Sequence, residues 1–442
     1  MNSVPNHEFL EMKENYLHQA HCKQQCFVFT DISELDLPEI TKFPIEKMKN
    51  GSVHSLHSFQ SKKCDTPVPP ERKSRTRKII AIFGVLMLLL VVIAIIPLTL
   101  QLRTSSLLEA RLAFIRRLLN EAPLVEGYWN PNMEGNFTQS YEEVKENMVG
   151  AILWPIKVPC GAQHLDAVQL ALEGIDLARR TVSNNFGMRI VESADEMDVA
   201  HADGMVSVLL GLEGHSLGSS LGVLRSFYSL GARFASLTAL SCTTPWAGSA
   251  FANSDHFVEE SAPTSLTEFG ETMLHEMNRL GMVAEISRLS EPAMMVALNT
   301  AKAPLLLSNA SPQGVCNATA SIPDHIMSAM SQNGGIMMLN VEKCGDKLLT
   351  VKEAIHMINY VRAIAGIDHV GLSSAPKIYP MLLAELARDR LWGNIAIKKL
   401  VGGNIVRVLR DVDNAKHKIS LREDWIPNDD IELSSYCRYP EM

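Results

Sequence analysis

Hydrophobic positions along this chain fall into two regimes, one unbroken run followed by a long alternation. The run, Ile79–Leu100, reads IIAIFGVLMLLLVVIAIIPLTL and carries no charge. About 20 apolar residues suffice to cross the hydrocarbon core as a helix, whereas a helix buried in a globular core usually keeps a polar face over such a length. The run therefore predicts one transmembrane helix at 79–100, with Pro97 near its end, where a kink costs little. Residues 1–78 are polar, hold Pro67, Pro69 and Pro70, and lack sustained periodicity, which predicts a flexible tail. Residues 101–107 read as a linker.

From residue 108 to 442 short apolar runs alternate with segments of helical spacing. The predicted buried strands are Val149–Val158, Val206–Leu212, Phe234–Leu240, Met282–Ser287, Pro304–Ser308, Gly335–Val341 and His369–Ser373. The predicted helices are Asp166–Asn185, Leu266–Leu280, Pro323–Ser331, Val351–Ala365 and Ile395–Val412. Strand–helix alternation of this kind predicts an α/β domain, either a closed (β/α)8 barrel or a doubly wound sheet, and periodicity alone does not separate the two.

The charge distribution orients the membrane helix. Arg72, Lys73, Arg75, Arg77 and Lys78 precede the run, and Arg103 alone follows closely, so residues 1–78 are expected in the cytosol. The long leading segment and the lack of a small-x-small site argue against a cleaved signal peptide. The chain thus reads as a single-pass type II membrane protein with a lumenal or extracellular domain. Cys22, Cys26 and Cys64 fall on the reducing side, and Cys160, Cys242, Cys316, Cys344 and Cys437 on the oxidising side. Two bridges among those five would leave one thiol for an intermolecular bond. The sequons at Asn136 and Asn317 suit a glycosylated lumenal domain. A net charge of -8 offers no basic field for nucleic acid, while 14 histidines make metal chemistry worth weighing.

Two motifs compete for the chemistry. Gly214-His-Ser-Leu-Gly218 fits G-x-S-x-G, which would make Ser216 a hydrolase nucleophile. Against this, there is no HGGG-type segment, and the late histidines His369 and His417 have no acid partner set by a motif. The longer stretch GLEGHSLGSSLGVLRSFYSLGARFASLTALSCTTPWAGS closely resembles the membrane (renal-type) zinc dipeptidases. Those proteins carry G-x-E-G-G-H-S and then T-H-x-C-N-T-P-W. The resemblance continues through LTEFGETMLHEMNRLGMVAEISRLS, PLLLSNASPQGVCNATASIPDH and GGNIVRVL, covering about residue 108 to Cys437.

The resemblance implies a (β/α)8 TIM-type barrel of the metallo-dependent amidohydrolase kind, with a two-zinc site at the C-terminal strand ends. The family's D-G-H-x-D, whose His and Asp bind zinc, corresponds to Glu126-Gly-Tyr-Trp-Asn130, so those ligands are Tyr128 and Asn130. The bridging carboxylate is retained as Glu213. The substrate-contacting His is Leu240, the S-H-x-S His is Arg288, and the S-H-S His is Asn309. The arginine for the substrate carboxylate falls on Ala320, and the Asp that assists proton transfer falls on Ala375. Leucine and alanine donate nothing, and arginine repels a cation. Glu213 and His215 alone are too few for a new metal site.

These substitutions predict a pseudoenzyme with no catalytic residues and no cofactor, zinc being expected only if the family activity is retained. Its function would be binding or dimerisation, with a weak or altered zinc dipeptidase as the alternative. The resemblance also implies bridges Cys160–Cys242 and Cys316–Cys344, and an interchain bond at Cys437 giving a homodimer. A heterodimer with an active family member is a further possible partnership. With no metal between them, Glu213 and Arg288 are expected to form an ion pair across the barrel mouth, with Glu285 as the competing carboxylate.

Overall fold

A computed structural model of the chain describes residues 73–131, 137–163, 165–238, 243–251 and 263–420. The tail before residue 73, Asn136, Leu240, Cys242 and Cys437 lie outside the described residues.

The first element among the described residues is a helix, Lys73–Glu121. Its segment Lys78–Pro97 is 20 residues long with mean hydropathy 3.5, and none of it is buried against protein. At 1.5 Å per residue it spans roughly 30 Å, the thickness of a bilayer core. The helix does not stop at Leu100, so Pro97 is internal and the expected linker 101–107 is helical. The continuation is amphipathic: Ile115, Leu118 and Leu119, at i, i+3 and i+4, are buried.

Among the described residues eleven strands follow: β1 (Leu124–Glu126), β2 (Val149–Ile156), β3 (Met188–Ile190), β4 (Val206–Leu212), β5 (Ala232–Ser236), β6 (Val283–Glu285), β7 (Leu306–Ala310), β8 (Ile336–Asn340), β9 (Lys343–Cys344), β10 (Lys347–Leu348) and β11 (Val370–Ser373). Eight pair in the order β1-β2-β4-β5-β6-β7-β8-β11, and β3 adds to β4. Every pairing in this sheet is parallel, while β9 and β10 form a separate antiparallel hairpin. β3 takes the first half of β4, at Val206–Val208, and β5 takes the second, at Leu210–Leu212. The ends of the sheet approach each other, for Gly127 N–H donates to the Leu372 carbonyl at 3.1 Å. The fold is a nearly closed parallel eight-stranded barrel, which resolves the choice that periodicity left open.

Alternation along each strand separates two cores. Val125, Leu153, Leu209, Phe234, Val283 and Met338 cluster together with Ile405, Val408 and Leu409 of the last helix. Their neighbours Leu124, Ile152, Leu210, Ala235, Ala284 and Leu339 join the larger cluster that meets the surrounding helices. The first set fills the barrel. Phe234 fits there because a Cβ at Gly211 would fall 2.1 Å from its ring, so only glycine leaves that space.

Helix starts follow local chemistry. Ser193, Ser220, Thr267 and Ser290 each accept from a backbone N–H of the turn they open, and Thr350 forms a capping box with Glu353. The predicted helix Ile395–Val412 is really helix Asn394–Lys398, a π-turn Lys399–Gly403 and helix Asn404–Ser420. Gly402 lies so near the Pro123 carbonyl that a Cβ would come within 2.2 Å of it. The π-turn sits where helix and β1 make this approach.

Candidate functional site

Continuing the inward alternation toward the C-terminal strand ends changes its character from apolar to polar. After Leu209, Phe234, Val283, Leu306, Met338 and Gly371 the inward positions become Glu213, Ser236, Glu285, Ser308, Asn340 and Ser373. This polar layer lies at the end where barrels of this type place their sites.

Two adjoining cavities open above it. The larger, about 410 Å³, is lined by residues including Glu126, Tyr128, Asn130, Asn309, Asn340, Lys343 and Ser374. The smaller, about 240 Å³, includes Ser287, Arg288, Asn309, Ala320, Asn340 and Lys343. Five of the predicted site positions, Tyr128, Asn130, Arg288, Asn309 and Ala320, thus come together from distant parts of the sequence. Glu213 is buried just past the end of β4 and Ala375 is buried too, and neither lines these cavities. Asn309, Ala320 and Ser374 hold positive φ angles of 47°, 62° and 65°. Backbone strain of this kind concentrates at binding and catalytic sites.

The expected Glu213–Arg288 ion pair does not form, nor does the competing pair with Glu285. Glu285 Oε1 instead accepts from the Ser287 N–H at 2.9 Å, the Ser287 hydroxyl and the Ser308 N–H at 3.3 Å. Those local donors satisfy it before the arginine reaches it. The Arg288 guanidinium lies 5.2 Å from the centre of the Tyr128 ring, a cation–π arrangement. The Tyr128 hydroxyl makes no hydrogen bond of acceptable geometry among the described residues. Burial opposes the charge on Arg288, but the fields of Glu285, Tyr128 and Glu213 outweigh it and raise its pKa. A fixed cation therefore stands within the polar layer.

Glu126 was not singled out in the sequence, although it opens the altered D-G-H-x-D segment. Its carboxyl is fully buried and accepts from Tyr128 N–H at 2.9 Å, Ser374 N–H at 2.6 Å and the Tyr379 hydroxyl at 2.6 Å. Burial pushes its pKa up to about 7, and these donors only partly offset that.

The nucleophile-elbow reading fails on geometry. Ser216 lies buried in a 3-10 turn, Gly214–Leu217, with its hydroxyl donating to the Glu213 carbonyl at 2.6 Å. The His215 ring bonds the Val158 carbonyl at 2.9 Å, and burial lowers its pKa, so it is a neutral structural histidine.

The residues at the positions where the resemblance puts zinc ligands do not fit a zinc pair. Among the described residues no three His, Cys, Asp or Glu side chains converge as a metal-binding group. Tyr128, Asn130 and Asn309 are poor donors, and the charge of Arg288 opposes a cation. The scaffold is retained nonetheless. Cys316 and Cys344 form the disulfide expected of them, and Cys160 is also disulfide-bonded.

A parallel barrel with its polar layer and cavities at the C-terminal strand ends belongs to the TIM-type class of barrels. The family model for membrane dipeptidase (peptidase family M19) matches residues 112–423, and the chain belongs to that family. Dipeptidase 3 of Rattus norvegicus is 36% identical over 304 residues, covering 64% of this chain and 61% of that protein. Dipeptidase 3 of Homo sapiens is 33% identical over 297 residues, covering 63% and 59%. The matched part of the chain thus spans about three fifths of these relatives. Among solved structures, the probable dipeptidase PvdM from Pseudomonas aeruginosa superposes with TM-score 0.62 at 16% identity, covering 70% of this chain and 99% of that one. A metallopeptidase from Rhodobacter sphaeroides, liganded with a phosphinate mimic of L-Ala-D-Ala, gives TM-score 0.56 at 20% identity, covering 66% and 99%. At such identities these structures speak for the fold.

Proposed function

We propose that this chain is a catalytically inactive member of the dipeptidase family that acts by binding at the barrel mouth. The observation that carries the reading is Arg288, a buried cation held charged by its surroundings in the position of a zinc-ligating histidine. Zinc sites need neutral or anionic donors, three per metal in catalytic centres. Tyr128 and Asn309 beside it do not restore that set. The rival, a zinc dipeptidase of weak or altered activity, draws on family membership and on the retained Glu213. Metal content decides between them. The purified protein is expected to hold far less than one zinc per chain and to hydrolyse no dipeptide. Stoichiometric zinc, or turnover abolished by a chelator, sinks the inactive reading.

The same reading makes the protein a type II membrane protein anchored by residues 79–100, glycosylated at Asn136 and Asn317, with Asn317 exposed. It pairs as a homodimer through Cys437, or with an active family member.

A further inference from the structure

We propose that the cavity beside Arg288 binds the carboxylate of a small monoanionic ligand. This deepens the proposed function and rests on it.

The argument starts from sign. The described residues lining the 240 Å³ cavity include two cations, Arg288 and Lys343, and no carboxylate. Arg288 is only 6% exposed, and apart from a hydrogen-bonding contribution from Tyr128 its guanidinium has no hydrogen-bond or ion-pair partner among the described residues. A guanidinium offers five N–H donors, and leaving them unused in a buried place costs free energy. The ring of Tyr128 takes one face of the group, but an aromatic face does not satisfy in-plane donors. Those donors call for an acceptor beyond any that the described residues bring to them.

The neighbouring polar group has the same sense. Asn340 Oδ1 is occupied by the N–H groups of Glu342 and Lys343, at 3.1 and 3.0 Å. Only an oxygen accepts from both, so the amide NH2 is the free end of that side chain. Guanidinium, ammonium and amide NH2 together make a donor-rich wall. Ala320, on the same wall, contributes no more than a methyl group and leaves room for a ligand.

Charge number then selects the ligand class. Glu285 and Glu213 lie close enough to raise the Arg288 pKa, so their fields already offset part of the cavity's positive charge. A single negative charge suits what remains, and a phosphate dianion meets more repulsion. A planar carboxylate also matches the fork of the guanidinium, which accepts it in bidentate fashion.

The test uses the full chain in detergent and calorimetric titration with N-acetylalanine, N-acetylalanine amide and inorganic phosphate. N-acetylalanine is expected to bind saturably, about tenfold or more tighter than its amide and tighter than phosphate, the scale of one charged hydrogen bond. Arg288→Gln should weaken it at least as much. Because that variant removes a buried charge and could lose its fold, the exposed Lys343→Gln is measured beside it, with a loss of a few-fold expected. Equal binding of acid and amide, tighter binding of phosphate, or acid binding untouched by both substitutions overturns the proposal. Zinc content and dipeptide hydrolysis are read on the same sample. Stoichiometric zinc or turnover overturns the inactive reading and this proposal with it, whereas a zinc-free, inactive protein that takes up no carboxylate overturns this proposal alone.

Discussion

The Tyr379 hydroxyl donates to Glu126 Oε2 at 2.6 Å, and this contact joins residues 253 positions apart across the seam of the barrel. Glu126 ends the first strand, and Tyr379 begins the helix Tyr379–Leu386 that follows the last one. With Ser374 N–H bonding the other carboxyl oxygen, one side chain stitches both ends of the sheet. Parallel strands at a seam have few backbone bonds to share, so a buried side chain that accepts several donors does part of that work.

This stitch has a pH dependence of fixed sign. Glu126 is raised from its ordinary 4.5 to about 7 by burial. Below 4.5 the folded and unfolded states both carry a neutral carboxyl. As pH rises toward 7 the unfolded chain ionises while the folded one keeps its proton, so stability falls through that window. Above 7 the loss is complete, on the order of 3 kcal/mol. Glu126→Gln keeps the amide oxygen as acceptor and removes the titration. Melting temperatures at pH 5 and 7.5 should differ more in the wild type than in this variant; equal differences would show that Glu126 is not the group responsible.

Gly214 follows the retained Glu213 in a place where a Cβ would lie 2.7 Å from the Leu237 carbonyl carbon and oxygen. Backbone does not yield as a side-chain tip does. Gly214→Ala is expected to destabilise by about 1–3 kcal/mol through overpacking. Gly161, with nothing within 4 Å of its virtual Cβ, is the control, and Gly161→Ala should be near neutral or slightly stabilising. Denaturant midpoints of the two variants check the contrast, which disappears if strand β5 simply shifts.

The disulfide Cys316–Cys344 closes a loop of 28 residues between the loop after β7 and the hairpin strand β9. Cross-linking a loop of that size restricts the unfolded chain by about 3–4 kcal/mol. Cys316→Ser should lower the denaturation midpoint accordingly. The hairpin also carries Lys343 into the cavity wall, so the variant is expected to weaken whatever binds there.

Much of the barrel was legible because buried parallel strands are long apolar runs. Val206–Leu212 was marked at its observed bounds, and Val149–Ile156 within two residues. β1 and β3, three residues each, were not among the predicted strands. Periodicity did not show closure, which rests on pairings between distant strands; the resemblance supplied it. The site positions came from the resemblance and five of them converge in space, but the partners of Arg288 did not follow. Local serine donors at Ser287 and Ser308 captured Glu285, and an aromatic face took the guanidinium. Side-chain competition at that scale has no signature in spacing.

The membrane arrangement and the dimer are tested together. Protease added to sealed vesicles should trim only the segment before residue 79, and glycosidase should lower the mass of the protected fragment. Gels run without reductant should show a dimer that reductant collapses, and Cys437→Ser should remove the covalent species. Loss of the barrel to protease reverses the topology, and a monomer under both conditions removes the covalent dimer.

The last prediction asks what restoring zinc would take. Tyr128, Asn130, Arg288 and Asn309 stand where the resemblance puts zinc ligands, and Glu213 remains in the bridging place. Tyr128→His alone should gain no metal, because Arg288 keeps its charge and one new imidazole falls short of three ligands. Arg288→His removes the opposing cation but still leaves too few donors. The combination Tyr128→His, Asn130→Asp, Arg288→His and Asn309→His supplies the missing set around Glu213. The backbone is suited to the last change: Asn309 has φ 47°, and histidine, like asparagine, is enriched in that region. Zinc per chain, measured by elemental analysis, should rise from far below one toward two in the fourfold variant and stay low in each single variant. Dipeptide hydrolysis should remain absent, because Leu240, Ala320 and Ala375 still lack the groups expected to contact substrate and move its proton. A wild-type chain already carrying stoichiometric zinc would mean that other residues hold it. A fourfold variant that folds yet binds none would mean that the barrel mouth has drifted beyond zinc geometry.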